Sequence, residues 1–476
     1  MNSVAIIGGG ITGLTAAFRL QQRGIQVTLY EASDRVGGVI RTIEQDGYLA
    51  EFGPNTILET SPKIADLIRD LGLEGRKLYS DPHADKRFLV RNRRPVQMPA
   101  SPAAFFTTPM FSPGAKLRLF REPFIRPSQP DREESVAEFV LRRLGREFLD
   151  YAINPLVAGV YAGDPARLSV KHAFPKLHAL EQKYGSLIKG QIFGARERKR
   201  RAEVSKQNAP KVSFAEGLQT LTDTLRQRLG EAVRLNTAAT RLQRTSTGWM
   251  LALRTGGREN ACEHSIVLLA APAYKLAELP VHDTRAIDLS PLSEINYPPV
   301  ASVVLGFRRE DVAHPLDGFG MLIPQVEGFN ILGTIFSSSL FPGRAPTGHV
   351  TLTSYVGGMR APDLALRSES ELVDMTVRDL QVLLGLKGRP TFHHHVLYEK
   401  ATPQYEVGYG RFKDFMTAVE SQAPGLFFAG HYRDGISLGD SLASGHDVAE
   451  RIEKFLAGSA TRGPNPTTGP QAAATP

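Results

Sequence analysis

The feature that most constrains the fold is residues 3–32, SVAIIGGGITGLTAAFRLQQRGIQVTLYEA, where a glycine-rich turn follows an apolar segment. Gly8, Gly10 and Gly13 have the GxGxxG spacing, which permits a tight turn and close approach of the backbone to a pyrophosphate. A helix is predicted after the turn, with its N-terminus facing the phosphates. A second strand ends at Glu31, which is placed to accept hydrogen bonds from ribose hydroxyls. The sequence therefore predicts an α/β chain with a Rossmann-like dinucleotide-binding domain.

Length and composition indicate a multilobed globular protein. The chain has 476 residues, of which 42% are hydrophobic and 22% charged, and this length favours two or three lobes. It contains no apolar run of about 18 residues, the length that predicts a transmembrane helix. The N-terminus enters a strand without a basic region or cleavage site, so secretion is not expected.

Cysteine and charge exclude several classes of protein. A single cysteine, Cys262, excludes a disulfide framework and a cysteine-rich metal site. We expect it to be an inert core thiol at the start of a buried strand, in a reducing compartment. The net charge is +8, much of it from ARERKRRAEVSK at 195–206. This stretch is interpreted as a solvated loop, or alternatively as one attracted to an anionic membrane or substrate. Nucleic acid is not an expected partner, because no recognition module accompanies the charge.

Three further segments resemble the flavin-binding signatures of the FAD-dependent amine oxidase superfamily. EASDRVGGVIRT at 31–42 resembles its second signature, with a glycine pair along the dinucleotide, and FGPNTI at 52–57 resembles the turn beside the flavin ring. LFFAGHYRDGISLGDSLASG at 426–445 resembles its third flavin contact. There, the N–H groups of residues 436–438 would stabilise negative charge on the reduced ring. FAD is therefore the expected cofactor.

The resemblance implies one set of cofactor-binding residues, which come from five parts of the chain. They are Gly8, Gly9, Gly10, Ile11, Thr12, Gly13, Glu31, Ala32, Arg35, Gly37, Gly38, Val39, Gly53, Pro54, Asn55, Thr56, Ala239, Gly430, His431, Ile436, Ser437 and Leu438.

Over nearly its whole length the chain resembles the oxygen-dependent protoporphyrinogen oxidases. The resemblance is carried by KRFLVRNRRPVQMP, NPLVAGVYAGDPARLSVKHAFPKL, GFGMLIP, ILGTIFSSSLFPGRAP and TPQYEVGY. It implies that Arg87 pairs with a ring propionate, as suits a planar guanidinium. It also implies a glycine backbone beside the substrate and apolar groups around the pyrroles, at Gly159, Phe319, Leu322 and Leu332. Tyr355 stands where relatives have Phe or Met, so its hydroxyl departs from the pattern.

The resemblance also implies an amine oxidase-like architecture related to p-hydroxybenzoate hydroxylase. A Rossmann-like FAD-binding domain would accompany a mixed-sheet substrate domain and a helical, membrane-associated lobe. The FAD-binding domain would comprise 1–80, 211–290 and 411–457, and the substrate domain 81–100 and 291–410. The helical lobe would be 101–210, and a disordered tail 458–476.

The activity implied is oxidation of protoporphyrinogen IX to protoporphyrin IX in haem synthesis. Six hydrogens would leave in three two-electron rounds, by hydride transfer to flavin N5, with O2 as acceptor and H2O2 as product. Aromatisation drives the reaction, so no side chain is assigned as base. Open alternatives are a coproporphyrinogen III oxidase, a flavin amine oxidase and a flavin-bearing tetrapyrrole carrier without turnover.

The same resemblance suggests peripheral membrane contact through 103–125, transfer of product to a ferrochelatase, and a homodimer. The location would be cytoplasmic or peripheral on the inner membrane, mitochondrial in a eukaryote. No metal is expected: His393–His395 alternate on a predicted strand, so they cannot all face one ion. Asp434 and Asp440 are interpreted as turn and cap residues rather than bases.

Overall fold

The computed structural model describes residues 3–129, 132–194, 209–283 and 286–460. The basic stretch at 195–206 and most of the predicted tail lie outside these ranges. The last helix, however, runs from Leu438 to Ala460. The predicted start of the tail at Gly458 is therefore wrong, because the helix continues through that glycine.

A parallel five-stranded sheet, here called the nucleotide sheet, carries the glycine-rich turn. Helix Ile11–Gln22 connects its central strand to the neighbouring strand, as the sequence predicts. The buried apolar strands explain why this sheet lies in the core, covered on both sides. In spatial order its strands are Val233–Arg234, Gln26–Tyr30, Ser3–Ile7, Ile266–Leu269 and Leu426–Phe428.

A second five-stranded sheet is formed by strands that lie between those of the nucleotide sheet in the chain, and it is largely antiparallel. Its strands are Arg258–His264, Trp249–Thr255, Thr237–Arg244, Val281–His282 and Ala286–Ile287. Cys262 lies exposed on the outermost of these strands. The expectation of a buried thiol is wrong because the buried strand begins only at Ile266.

A mixed seven-stranded sheet, here called the substrate sheet, is antiparallel except where Gly318–Leu322 pairs in parallel with Lys86–Arg91. Helix Glu369–Leu384, predicted near 368–384, packs against it and begins with a capping box at Ser368. In spatial order the strands are Phe392–Tyr398, Val300–Arg308, His349–Gly357, Ile331–Ile335, Gly318–Leu322, Lys86–Arg91 and Arg94–Gln97. The predicted α/β class with a mixed sheet is confirmed.

Short helices lie between Pro102 and Phe193, after the first two strands of the substrate sheet in the chain. We call them the helical lobe. Arg143, fully buried, donates to Glu122 at 2.9 Å and to Glu181 at 2.5 Å, so each buried charge has an opposite partner. The helices are Pro102–Thr107, Pro113–Arg118, Val136–Arg143, Arg146–Phe148, Asn154–Tyr161, Val170–Ala173, Pro175–Tyr184 and Leu187–Phe193, with a π-helical turn at Leu149–Ile153.

Smaller elements complete the framework around these sheets. The remaining longer helices are Pro62–Asp70, Gln219–Leu229 and Gly410–Gln422. Two small sheets contain Thr42–Gln45 with Tyr48–Glu51, and Ile57–Leu58 with Lys211–Phe214 and Lys77–Tyr79. Among the residues that the structure describes, no helix has the length and apolar character needed to cross a bilayer.

Candidate cofactor and substrate site

In the first glycine turn, Gly8 and Gly13 leave no room for a side chain, whereas Gly10 does. A Cβ on Gly13 would lie 2.0 Å from the carbonyl oxygen of Gly8, so helix Ile11–Gln22 can start this close to the strand only with glycine. Gly8 itself has φ +113°, in the region that favours glycine. By contrast, a Cβ on Gly10 would meet no atom of the described chain within 4 Å. No described side chain caps the helix there, so its first N–H groups can bind an anion.

Glu31 makes hydrogen bonds to the glycine turn, to the loop that follows its own strand and to the strand that begins at Thr237. Its Oε2 accepts from the Gly9 N–H at 2.6 Å, and its Oε1 accepts from the Ser33 N–H at 2.9 Å. The Glu31 carbonyl accepts from the Thr237 N–H at 2.8 Å. This contact brings strand Thr237–Arg244, which carries Ala239, to the end of strand Gln26–Tyr30. The predicted role of Glu31 toward a ribose stays a prediction.

The glycine pair at 37–38 lies directly against the first turn. The Gly37 N–H donates to the Gly9 carbonyl at 2.8 Å, and a Cβ on Gly38 would lie 3.5 Å from Gly10 Cα. Arg35 closes this loop by donating to the carbonyls of Val36, Gly38 and Ile40, at 3.1, 2.5 and 3.1 Å. The guanidinium thus shapes the loop through its backbone.

The turn that contains Gly53, Pro54, Asn55 and Thr56 connects the cofactor loops to the substrate sheet. A Cβ on Gly53 would lie 2.3 Å from the Val39 carbonyl oxygen, so these two segments touch through their backbones. The Asn55 amide donates to the Tyr355 hydroxyl at 2.7 Å. The Tyr355 hydroxyl therefore has a partner in the predicted flavin turn.

The C-terminal segment joins the first helix on its other side. The Thr12 hydroxyl donates to the Ser441 carbonyl at 3.1 Å, and a Cβ on Gly445 would lie 2.5 Å from the Thr12 carbonyl oxygen. Gly430, with φ +131°, donates its N–H to the Ser444 hydroxyl at 3.0 Å. The two glycine-rich regions thus form one site, although more than four hundred residues separate them in the chain.

Residues 430–440 form a short helix followed by a capped turn. Helix His431–Asp434 precedes Gly435. The Ser437 hydroxyl then accepts from the Asp440 N–H at 3.1 Å, while Asp440 accepts from the Ser437 N–H at 3.2 Å. The prediction that Asp440 is a cap residue is confirmed, and Asp434 accepts from Ser444. Ile436 and Leu438 flank this cap.

Sequence reasoning missed the residue that holds this turn, Tyr405. Its hydroxyl donates to the His431 carbonyl at 2.5 Å and accepts from the Gly435 N–H at 3.0 Å. Tyr409 binds the next carbonyl, that of Tyr432, at 2.6 Å. Both tyrosines belong to the motif TPQYEVGY, and both are buried.

The substrate sheet aligns the predicted substrate residues in a row. Leu322 pairs with Gly333, and Gly333 pairs with Tyr355, so these three share one face of the sheet. Arg87 pairs with Gly320 on the adjoining strand. Side chains alternate between the two faces along this strand, and Phe88 and Leu89 accordingly belong to separate core clusters. Arg87 therefore lies on the same face as Leu89 and Leu322.

Helix Asn154–Tyr161 of the helical lobe lies over this row. A Cβ on Gly159 would lie 2.3 Å from Leu322 Cδ2, so the helix backbone contacts the strand here. Phe319 packs nearby against the cluster of Ala84, Leu340 and Phe341. Leu332 occupies a β-bulge and is 2% exposed. The structure thus groups Gly159, Leu322 and Tyr355 directly, whereas the contact of Leu332 with a ligand stays a prediction.

Burial governs the titration of the groups around the site. It lowers the pKa of Arg87 and raises the pKa of Tyr355, and neither change alters the charge near neutral pH. Burial lowers the pKa of His431 to about 4, so this imidazole is neutral beside the Tyr297 hydroxyl, 3.3 Å away.

Glu51, at the base of the flavin turn, has the shift with the largest consequence. Burial raises the pKa of its carboxyl from 4.5 to about 7, against hydrogen bonds from Thr42 and Leu218. The folded protein binds this proton more tightly than the unfolded chain does. The resulting contribution to the free energy of unfolding is therefore complete below pH 4.5 and lost by about pH 7. The free energy of unfolding would fall by about 3 kcal/mol across that interval.

The histidine run behaves as predicted for a strand. His394 stacks on Phe52 at a ring-centroid distance of 4.5 Å, whereas His393 and His395 face Glu369 on the other side, at 3.7 and 3.6 Å.

Comparisons with known proteins show the family to which the chain is similar. The family model described as flavin containing amine oxidoreductase matches residues 11–453. Protoporphyrinogen oxidase 2 of Arabidopsis thaliana is 37% identical over 95% of this chain and 94% of its own length. The coproporphyrinogen III oxidase of Bacillus subtilis is 31% identical over 95% and 98%.

Solved structures show the same architecture. A proposed protoporphyrinogen oxidase from Exiguobacterium sp. 255-15 has a TM-score of 0.79 at 25% identity and covers 95% of this chain and 99% of its own. Cyclohexylamine oxidase from Brevibacterium oxydans has a TM-score of 0.67 at 16% identity over 96% and 99%. The latter similarity concerns the fold alone.

Proposed function

The chain belongs to the family of flavin-containing amine oxidoreductases, and from this premise we propose that it oxidises protoporphyrinogen IX to protoporphyrin IX in tetrapyrrole synthesis. The observation that carries the proposal is the row Leu322, Gly333 and Tyr355, joined to the predicted flavin turn by the Asn55–Tyr355 hydrogen bond. A flat macrocycle on this row would lie beside the flavin. The near full-length similarity to plant protoporphyrinogen oxidases supports the same substrate.

FAD is the cofactor, and the residues present fit it. The open position above Gly10 and the uncapped helix that follows suit a pyrophosphate. The loop at 37–38 lies against Gly10 and would follow the dinucleotide. The turn that begins at Gly53 and the capped turn at 436–438 would hold the ring. When bound, FAD supplies acceptance of two electrons in each round of substrate oxidation.

The chain's own contribution is to orient the macrocycle. Arg87 would pair with a propionate and fix the rotation of the macrocycle, while Leu322, Phe319 and the Tyr355 ring hold its apolar surface. Gly159 lets the helical lobe close against Leu322 at the border of this face. His431 and Tyr355 are neutral near pH 7, and no side chain is assigned as a base, so we infer that the pyrrole proton leaves through solvent.

The stoichiometry follows from the substrate. Conversion of protoporphyrinogen to protoporphyrin removes six hydrogens, and we propose O2 as the acceptor. Three molecules of O2 would then yield three of H2O2 for each porphyrin formed.

A second candidate is the oxidation of coproporphyrinogen III, which the similarity to the Bacillus subtilis enzyme favours. Its substrate carries four propionates and requires more cationic partners. The test is aerobic turnover of the purified yellow protein with both porphyrinogens in parallel, followed by porphyrin fluorescence and H2O2 release. We expect a higher kcat/KM for protoporphyrinogen IX. A higher value for coproporphyrinogen III would support the alternative, and turnover of neither would contradict both.

We also propose that the helical lobe contacts a membrane surface. Phe106, Leu117, Phe120 and Phe124 are exposed, the last at 85%, and basic residues such as Arg121 accompany them on the same segment. Hand-off to a ferrochelatase and a homodimer stay predictions.

The test of membrane contact is sedimentation with liposomes that contain anionic lipid. Replacing Phe120 and Phe124 with Ser should reduce the bound fraction several-fold, because apolar burial and charge act together. The matched control replaces exposed Leu366, outside the lobe, with Ser. Equal binding of all three proteins would contradict the proposal.

A further inference from the structure

The five most exposed large apolar side chains of the described residues belong to two segments of the helical lobe, 113–124 and helix Leu187–Phe193. These segments pack against each other. Exposed apolar residues are ordinarily scattered singly, so such a concentration marks an interaction surface. The five are Phe124, Phe193, Leu117, Ile192 and Phe120.

A buried carboxylate fixes the two segments to each other. Glu122 accepts from the Ser186 hydroxyl at 2.5 Å and from the first N–H group of helix Leu187–Phe193 at 2.8 Å. Arg143 donates to the same carboxylate at 2.9 Å. Since every partner in this network is held by another, the helix has a set position relative to the turn that contains Glu122.

An apolar pocket lies between the two segments, with a volume of about 230 Å³. At about 30 Å³ for each group the size of a water molecule, it accommodates roughly eight methylene groups. A tetrapyrrole is several times larger. Phe106 and Phe120, whose rings stack at a centroid distance of 6.2 Å, form part of the wall. The other apolar lining residues are Phe105, Leu119, Pro123 and Ile188.

Lys116 is the single charged residue that lines this pocket. Its Nζ donates to the carbonyls of Phe106 and Thr108, at 2.8 and 2.7 Å. These two bonds hold the ammonium in place, and because an ammonium has three N–H donors, one donor remains for a ligand. A fixed cation beside an apolar pocket fits a ligand with an apolar chain and an anionic head.

The charges exposed by this part of the lobe are all positive. The acid within 101–129 and 187–194 is Glu122, which is fully buried against Arg143. An anionic bilayer attracts such a surface, and exposed aromatic side chains favour the bilayer interface. The exposed cations of the two ranges are Arg118, Arg121, Arg126 and Lys189.

We propose that the pocket takes up one acyl chain of an anionic membrane phospholipid, whose phosphate binds the Lys116 ammonium. The proposal rests on the membrane contact proposed above, and it names the lipid and the place where it binds. The exposed phenylalanines rest in the bilayer interface, whereas the pocket holds a single lipid that has left its place among its neighbours. Apolar burial of the chain and attraction of the phosphate act together.

The test is isothermal titration of the holoenzyme with dihexanoyl phosphatidylglycerol, kept below its critical micelle concentration so that single lipids bind. Ile188→Trp fills the pocket and should weaken binding by about 10-fold or more, because each excluded methylene group costs about fourfold in affinity. Ile192→Trp is the matched control. Ile192 lies one turn further on the same helix and is 65% exposed, so this variant should bind as the wild type does.

A second comparison tests the role of the cation. Lys116→Gln should weaken binding of dihexanoyl phosphatidylglycerol by about 3- to 10-fold and leave binding of uncharged hexyl glucoside unchanged. Lys116→Arg should keep most of the affinity for the phospholipid. Wild-type protein that binds hexyl glucoside as tightly as the phospholipid would overturn the assignment of an anionic ligand.

Unchanged phospholipid binding in Ile188→Trp would overturn the pocket assignment, and so would equal losses in Ile188→Trp and Ile192→Trp. A wild-type dimer that Ile188→Trp separates, with no lipid bound, would assign the surface to a second copy of the chain. If Ile188→Trp does not fold, Leu119→Phe narrows the pocket from another wall and takes its place. Sedimentation with anionic liposomes keeps the two proposals apart: wild-type protein that sediments without binding the short-chain lipid contradicts the pocket alone, whereas protein that does not sediment contradicts the membrane contact.

Discussion

Gly159 and Leu322 provide a quantitative test of the substrate face. In Gly159→Ala, the new Cβ would lie 2.3 Å from Leu322 Cδ2, which is 1.1 Å short of the 3.4 Å at which ordinary contact begins. The obstacle is the end of a flexible side chain, so Leu322 must rotate. The Leu322 side chain has little room to rotate toward Gly333, because a Cβ built on Gly333 would lie only 3.1 Å from the same methyl group.

Overpacking of this kind costs about 1–3 kcal/mol. If the displaced Leu322 enters the substrate face, kcat/KM for protoporphyrinogen should fall by about 5- to 150-fold. Leu322→Ala removes the obstacle, so the double variant should be more active than the product of the two single effects predicts. The control is Gly114→Ala in the same lobe, where the nearest atom would lie 3.9 Å away. Additive effects of Gly159→Ala and Leu322→Ala on kcat/KM would refute the reasoning.

Three further predictions concern the cofactor region. Gly10→Ala should weaken FAD binding yet leave the Tm of the apoprotein unchanged, whereas Gly13→Ala should lower both FAD affinity and Tm, since its Cβ meets backbone. Flavin fluorescence measures FAD binding and calorimetry measures the Tm. Equal effects of the two variants on both quantities would contradict the open position at Gly10. Tyr405→Phe leaves two backbone groups unsatisfied and should cost about 2–4 kcal/mol in urea unfolding of the holoenzyme; a loss below 0.5 kcal/mol, about what a tolerated surface change costs, would show that the hydroxyl does not hold the turn. Glu51→Gln should flatten the decline in stability between pH 4.5 and about 7, and an unchanged pH profile of the Tm would exclude this carboxyl as its source.

Local patterns made the cofactor region predictable. The glycines at 8, 10 and 13 act within one turn, and the contact of 37–38 with that turn follows from the second signature. Ser437 and Asp440 form a cap across three residues, which is within reach of sequence reasoning. The substrate residues were inferred through resemblance, because strand periodicity alone cannot distinguish a core leucine from one that faces a ligand.

Contacts between distant segments were not predictable. The Tyr405 hydroxyl reaches His431 and Gly435, 26 and 30 residues away, and Asn55 reaches Tyr355 across 300 residues. Cys262 was placed in the core because an apolar run follows it, but exposure of an outer strand depends on what covers the sheet.

The measurement that tests the central claim most directly is anaerobic mixing of the oxidised holoenzyme with one equivalent of protoporphyrinogen IX, followed by flavin absorbance. We predict rapid loss of the oxidised flavin spectrum and its return when O2 is admitted, with protoporphyrin fluorescence appearing in step. A flavin spectrum that stays oxidised with protoporphyrinogen IX while the porphyrinogen is bound would contradict the claim and identify a carrier rather than an oxidase.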